Sequence, residues 1–179
     1  MAFGSSYGPP RSVPVIAVVG PSGSGKTTLV VELIRRLCAA GVRVGSIKRS
    51  SCEIEPDRPG KDSHRHRKAG AVRTVLEAVG ARALFEDTQE RSGALALARR
   101  FLSDLDLVLA EGFHDEPLPR IEVGPPDPRR PQAPSPRRWR VNPTESGLPP
   151  EDVLCALTAD LLALAAGEAM PTEPRVTRT

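Results

Sequence analysis

The sequence predicts an α/β sandwich around a mainly parallel sheet, and three observations carry that prediction. An apolar run, Val15-Ile16-Ala17-Val18-Val19, has no polar member, as a strand buried on both faces of a parallel sheet requires. It runs directly into the glycine-rich Gly20-Pro21-Ser22-Gly23-Ser24-Gly25-Lys26-Thr27-Thr28, and a helix-periodic segment follows. Further strand-like runs then alternate with helical patterns, the order of β-α-β units. Because the glycine-rich run fits G-x-x-x-x-G-K-[ST] between a strand and a helix, the class narrows to a three-layer sandwich of the P-loop NTPase type.

Each element has its own signal. Helix is predicted from Thr27 to Ala40, where Leu29, Leu33 and Leu37 recur every four residues and Gly41 stands in the C-terminal capping position. Val42–Ile47 is predicted as the next strand and Lys48–Lys61 as a polar, proline-broken loop. Asp62-Ser63 looks like a helix start leading through His64–Ala69 to Gly70. Strands are predicted over Ala71–Ala78 and Ala81–Phe85, turning at Gly80. Ser92 is predicted to cap a helix whose apolar side is Leu95, Ala98, Phe101 and Leu102, and Leu105–Ala110 to form a strand ending at Glu111-Gly112-Phe113. After a short strand at Pro119–Val123, residues 124–137 are too rich in proline and arginine for regular structure. Arg138–Val141 is a candidate last strand. Val153, Leu157, Leu161 and Leu164 mark a final amphipathic helix over Pro150–Ala166.

Composition bounds the rest. The 179 residues suffice for one domain, expected over residues 14–167, with a disordered leader at 1–13 and a disordered tail at 168–179. Aromatics are 3% of the chain, so Ala, Val, Leu and Ile must build the core. The net charge of +3 is too small to imply a nucleic-acid partner. No apolar run approaches a membrane span, and Met1–Pro14 has no apolar signal-peptide core. Cys38, Cys52 and Cys155 are odd in number and lack ligand spacing, which fits a reducing, cytoplasmic setting without a disulfide framework.

The phosphate-loop pattern carries the chemistry. Glycines at 20, 23 and 25 let backbone N–H groups turn inward around phosphate oxygens. Lys26 reaches the β/γ-phosphates, and the Thr27 hydroxyl takes one Mg²⁺ position. The positive end of the following helix adds to the same anion site. Ligands of such sheets bind beyond the carboxyl ends of the strands, which selects Glu111 and not Asp106 as the carboxylate for Mg²⁺. Asp62 competes for that role or caps its helix. His64-Arg65-His66-Arg67-Lys68 reads as a solvated basic face, from which Arg67 could meet a phosphate. The cluster Arg129, Arg130, Arg137, Arg138 and Arg140 with Trp139 reads as a solvated loop or a dock for an anionic partner.

Several segments together resemble the MobB family of molybdopterin-guanine dinucleotide biosynthesis adaptor proteins. They are the phosphate loop, Gly45-Ser46-Ile47-Lys48, Asp57-Arg58-Pro59-Gly60-Lys61-Asp62-Ser63, Arg67-Lys68-Ala69-Gly70-Ala71, Leu107 to Phe113 and Pro119-Arg120-Ile121-Glu122-Val123. The resemblance covers residues 14 to 123 and implies a GTP-binding homodimer with weak intrinsic hydrolysis. Such a protein assists the guanylyltransferase that joins GMP to molybdopterin. Carried over by position, Ser22–Thr28 bind the phosphates, Thr27 and Glu111 serve Mg²⁺, and Asp62, Ser63 and Arg67 line the same face. The chain departs from the family at Arg49-Ser50-Ser51-Cys52, where histidines are common. It departs again at Arg120, often lysine, and at Gly124, where an arginine often stands.

Guanine is chosen from the family alone. Asn142 is the only asparagine and Pro143 follows it, so an N-K-x-D guanine signature is absent; either Asn142–Glu145 or Thr158–Asp160 would occupy the base-binding loop, the first preserving the last helix. Two other classes share the loop: a small-molecule kinase with residues 129–140 as its lid, and a GTPase metallochaperone using Cys52, His64 and His66.

Overall fold

The structure is a computed structural model describing residues 12–127 and 132–168. The predicted leader and tail, Arg129 and Arg130 therefore lie outside the described residues, apart from positions 12, 13 and 168. The chain divides into two compact units: Ser50–Ser92, and the parts before and after it.

The larger unit holds a five-stranded sheet. Its strands are β1 (Val15–Val19), β2 (Val44–Lys48), β5 (Leu107–Glu111), β6 (Arg120–Val123) and β7 (Arg138–Val141), in the order β2-β5-β1-β6-β7. Every pairing is parallel. β1 sits at the centre, so both its faces are covered and its residues split between two cores. Ile16 and Val18 join Leu29, Leu33 and Leu37 of α1 (Lys26–Ala39) and Leu154, Leu157 and Leu161 of α4 (Glu151–Ala165). Val15, Ala17 and Val19 join Ala94 and Ala98 of α3 (Ala94–Phe101) on the other face. Helices on both faces of a parallel sheet give the predicted three layers. Burying each large aliphatic side chain contributes about 1.5–3 kcal/mol.

Local expectations fare unevenly. α1 ends where Gly41 was placed as cap; its φ of 85° is the left-handed conformation that glycine adopts without strain. The start of α3 differs from the prediction. Its N-cap is Gly93, not Ser92, and the Ala94 N–H donates to the Glu116 carboxylate at 2.9 and 3.1 Å. A carboxylate 22 residues away thus satisfies a donor that a neighbouring serine was expected to take. The buried stripe of α3 is Ala94 and Ala98, while Leu95 and Phe101 are exposed. Small side chains on that stripe let the helix lie close to the sheet. β2 and β5 begin at Val44 and Leu107; the preceding Val42 and Leu105 are apolar but form no ladder pair.

The smaller unit comprises α2 (Asp62–Lys68) and an antiparallel hairpin, β3 (Arg73–Ala78) with β4 (Ala81–Glu86). Its turn is Val79-Gly80, with Gly80 at φ 79°. Lys61 is the N-cap of α2 in extended conformation, and Asp62 is the first helical residue without a capping hydrogen bond. The capping role for Asp62 is therefore set aside; its carboxylate lies exposed, 3.7 Å from Arg65.

Candidate functional site

The phosphate loop leaves β1 at its carboxyl end and feeds α1 through Gly25, whose φ of 83° places it in the left-handed region. A Cβ there would lie 2.7 Å from the Gly147 carbonyl oxygen, and one at Gly20 would lie 2.2 Å from that of Val123. Both glycines are thus required by close backbone approach as well as by dihedral angle. Within the loop the Ser24 N–H donates to Pro21 O at 3.3 Å, and the Lys26 ammonium folds back to the same carbonyl. The Ser24 hydroxyl oxygen is buried with no hydrogen-bond partner among the described residues. An orphaned hydroxyl and a lysine inside a glycine-rich turn fit a polyanion with oxygens to spare.

Thr27, in the first turn of α1, meets the end of β5. Its hydroxyl lies 2.9 and 3.0 Å from the two Glu111 carboxylate oxygens. Hydroxyl and carboxylate converge as a phosphate-loop Mg²⁺ site requires, with remaining ligands left to water and phosphate. Among the described residues no group of three or more His, Cys, Asp or Glu gathers as a metal site on its own. Asp106 precedes β5 and is engaged by the Arg43 backbone N–H at 2.8 Å and its guanidinium at 2.9 Å, away from this edge.

Past Glu111 the chain turns through Gly112 and Phe113, at φ 100° and 57°. The Arg49 guanidinium stacks 3.9 Å from the Phe113 ring centroid and donates to Asp115 at 2.6 Å and Glu116 at 2.8 Å. Arg49 thus carries a cation that braces the loop following Glu111. Beside the phosphate loop a cleft is lined by Gly20, Lys26, Gly112, His114, Asp127 and Gln132. Behind its wall lies Arg120, only 1% exposed, donating to His114 O at 3.4 Å, Gln132 Oε1 at 3.2 Å and Ala133 O. Burial, followed by the nearby Arg138 charge, holds its pKa below the ordinary value.

The remaining candidates divide between the units. Asn142–Glu145 lies in the loop between β7 and α4, and this loop brings Gly147 against Gly25, where a Cβ on Gly147 would lie 3.7 Å from the Thr28 side chain. Thr158–Asp160 is instead part of α4, with Asp160 buried, so the alignment that preserves the helix is the one the fold allows. In the smaller unit Ser63 donates to Asp57 at 3.1 Å, and Arg67 donates to Glu55 at 2.7 Å and to Asp87. The Arg67 hydrogen bond holds the Glu55 carboxyl below its usual value. Arg67 is buried, which corrects its assignment to a solvated basic face. Trp139 is corrected too. It is fully buried on β7, with Nε1–H donating to Asp160 at 2.8 Å, so it cannot dock a partner.

With this geometry in place, comparison with known proteins decides the family. The family model described as Molybdopterin guanine dinucleotide synthesis protein B, MobB, matches residues 15–138. The chain belongs to the MobB family. It is 43% identical over 112 residues to the molybdopterin-guanine dinucleotide biosynthesis adapter protein of Escherichia coli (strain K12), covering 61% of this chain and 64% of that one. It is 40% identical over 112 residues to the adapter of the same name from Haemophilus influenzae, covering 62% and 63%. The chain thus spans less than two thirds of the length of either MobB relative. The crystal structure of a molybdopterin-guanine biosynthesis protein B superposes with a TM-score of 0.58 at 26% identity, covering 85% of this chain and 99% of that one. Sequence reasoning singled out Thr27 and Glu111, which the fold of this MobB chain brings together, but gave no role to Lys48, Glu116 or Arg120. Only Lys48 carried a signal, as the polar end of a strand beside the loop.

Proposed function

We propose that this chain is a GTP-binding adapter of molybdenum cofactor biosynthesis, cytoplasmic and at most a weak GTPase, serving the guanylyltransferase that attaches GMP to molybdopterin. The observation that carries the nucleotide site is the convergence of the phosphate loop, its orphaned Ser24 hydroxyl and the Thr27–Glu111 pair at one sheet edge. Backbone N–H groups of Ser22–Thr28 and the Lys26 ammonium bind the phosphates, and Thr27 and Glu111 hold Mg²⁺. Bound there, the metal neutralises phosphate charge. Gln132 lines the cleft next to Lys26, but its Oε1 is taken by Arg120, so it is poorly placed to orient an attacking water; slow hydrolysis follows. Adding the purified protein to a reconstituted guanylyltransferase reaction at limiting GTP should raise the yield of guanine dinucleotide cofactor. An unchanged yield at saturating protein would overturn the adapter role.

A homodimer is part of the same proposal. The hairpin leaves Val72, Val75, Leu76, Val79 and Leu84 exposed, and a two-stranded hairpin is marginal by itself. A second copy covering these residues would remove both defects. Sedimentation should show a dimer at micromolar concentration that Val75→Glu combined with Leu76→Glu converts to monomer; a monomeric wild type would sink the proposal.

A small-molecule kinase is the second reading, favoured by the polar cleft at Lys26 with His114 and Asp127. Of its candidate lid at 129–140, Arg138, Trp139 and Arg140 belong to strand β7.

A further inference from the structure

Lys48 stands where a cation belongs. β2 and β5 run parallel in a register that pairs Lys48 with Glu111, so both side chains leave the same face at the carboxyl edge of the sheet. The Lys48 ammonium lies 3.1 Å from Glu111 Oε1 and donates to Thr27 Oγ1 at 3.4 Å. It faces, at once, both groups assigned to the metal. The Glu111 side chain is 12% exposed, an environment in which a carboxylate needs a counter-charge. The Lys48 side chain is 63% exposed, so its flexible stem can swing into solvent without disturbing the core. A divalent ion approaching the same carboxylate meets like-charge repulsion from this ammonium.

We propose that Lys48 is a resident counter-ion that keeps divalent metal off Thr27 and Glu111 until phosphate oxygens arrive to help displace it, so that metal and nucleotide load together. The proposal rests on Thr27 and Glu111 being the metal site. With one hydroxyl and one carboxylate, the protein alone grips a divalent ion weakly. A single ammonium is therefore enough to tip the balance.

The test is Mn²⁺ binding to the full chain without nucleotide, followed by electron paramagnetic resonance. Lys48→Met keeps the stem and removes the charge; its Mn²⁺ affinity should rise about tenfold, equivalent to ~1.4 kcal/mol. Lys48→Arg restores a cation and should match wild type. Adding Glu111→Gln to Lys48→Met should erase the gain. No gain, a weaker affinity, or a gain that survives Glu111→Gln each overturns the proposal. A weaker affinity would mean that Lys48 positions Glu111 for the metal. Because no nucleotide is present, these titrations stand even if GTP binding fails. GTP binding with unchanged Mn²⁺ affinity would overturn the role of Lys48 alone.

Discussion

Replacing Lys26 with alanine is expected to lower GTP affinity at least about a hundredfold while leaving the fold intact. The ammonium sits inside the glycine-rich turn, where it bonds to the Pro21 carbonyl of the loop itself. When phosphates arrive they offer charged acceptors in place of that neutral one. Hydrogen bonds to charged groups contribute about 1.5–3 kcal/mol each, so two of them reach the hundredfold range. Lys26 belongs to neither apolar cluster, and the unfolding midpoint should move by less than the ~0.5 kcal/mol typical of surface substitutions. Calorimetric titration decides: wild type should prefer GTP to ATP and require Mg²⁺ for full affinity, and Lys26→Ala should show no measurable heat at the same concentrations. Retained affinity would remove Lys26 from the site. Equal binding of ATP would remove the guanine preference and leave the phosphate site standing.

How legible the fold was depended on how local its causes were. The phosphate loop, its flanking strand and α1 were readable because loop pattern, apolar run and period-four leucines lie within one continuous stretch. α4 was readable by the same periodicity, and β7 was placed at its observed bounds. What escaped depends on residues far apart in the chain. Glu116 reaches both Ala94 and Arg49, and Lys48 meets Glu111 only through the β2–β5 register. No window of sequence contains either arrangement. Trp139 escaped for another reason. Flanked by Arg138 and Arg140, it looked like part of a charged surface run, whereas Arg-Trp-Arg-Val is a period-two strand with its apolar members turned inward. The site divided in the same way. Thr27 and Glu111 were placed together because one follows the motif and the other ends a strand. The cleft wall of His114, Asp127 and Gln132 belongs to loops with no pattern of their own.

Asp160→Ala is expected to cost about 3 kcal/mol of stability. Asp160 is 2% exposed on α4 and accepts the Trp139 indole N–H at 2.8 Å, with the Arg137 guanidinium 3.5 Å away. Arg137 also stacks 4.9 Å from the Trp139 ring. Removing the carboxylate leaves the buried indole donor without this acceptor and takes one carboxylate contact from the Arg137 guanidinium. Losses of about 1–3 kcal/mol for the donor and 3–5 kcal/mol for a broken buried ion pair bracket the expectation, the latter reduced because Arg137 is partly exposed. Asp160→Asn keeps an acceptor for the indole and should lose less than half as much. Urea unfolding of the three proteins measures both differences, and a midpoint for Asp160→Ala indistinguishable from wild type would show that the indole bond does not stabilise the core. The consequence reaches the nucleotide site as well. Trp139 and Asp160 join β7 to α4, and the loop between those elements carries Gly147 against Gly25 at the start of α1. Loosening that joint should weaken GTP binding in the folded Asp160→Ala protein, whereas Asp160→Asn, which keeps the clasp, should bind as wild type does.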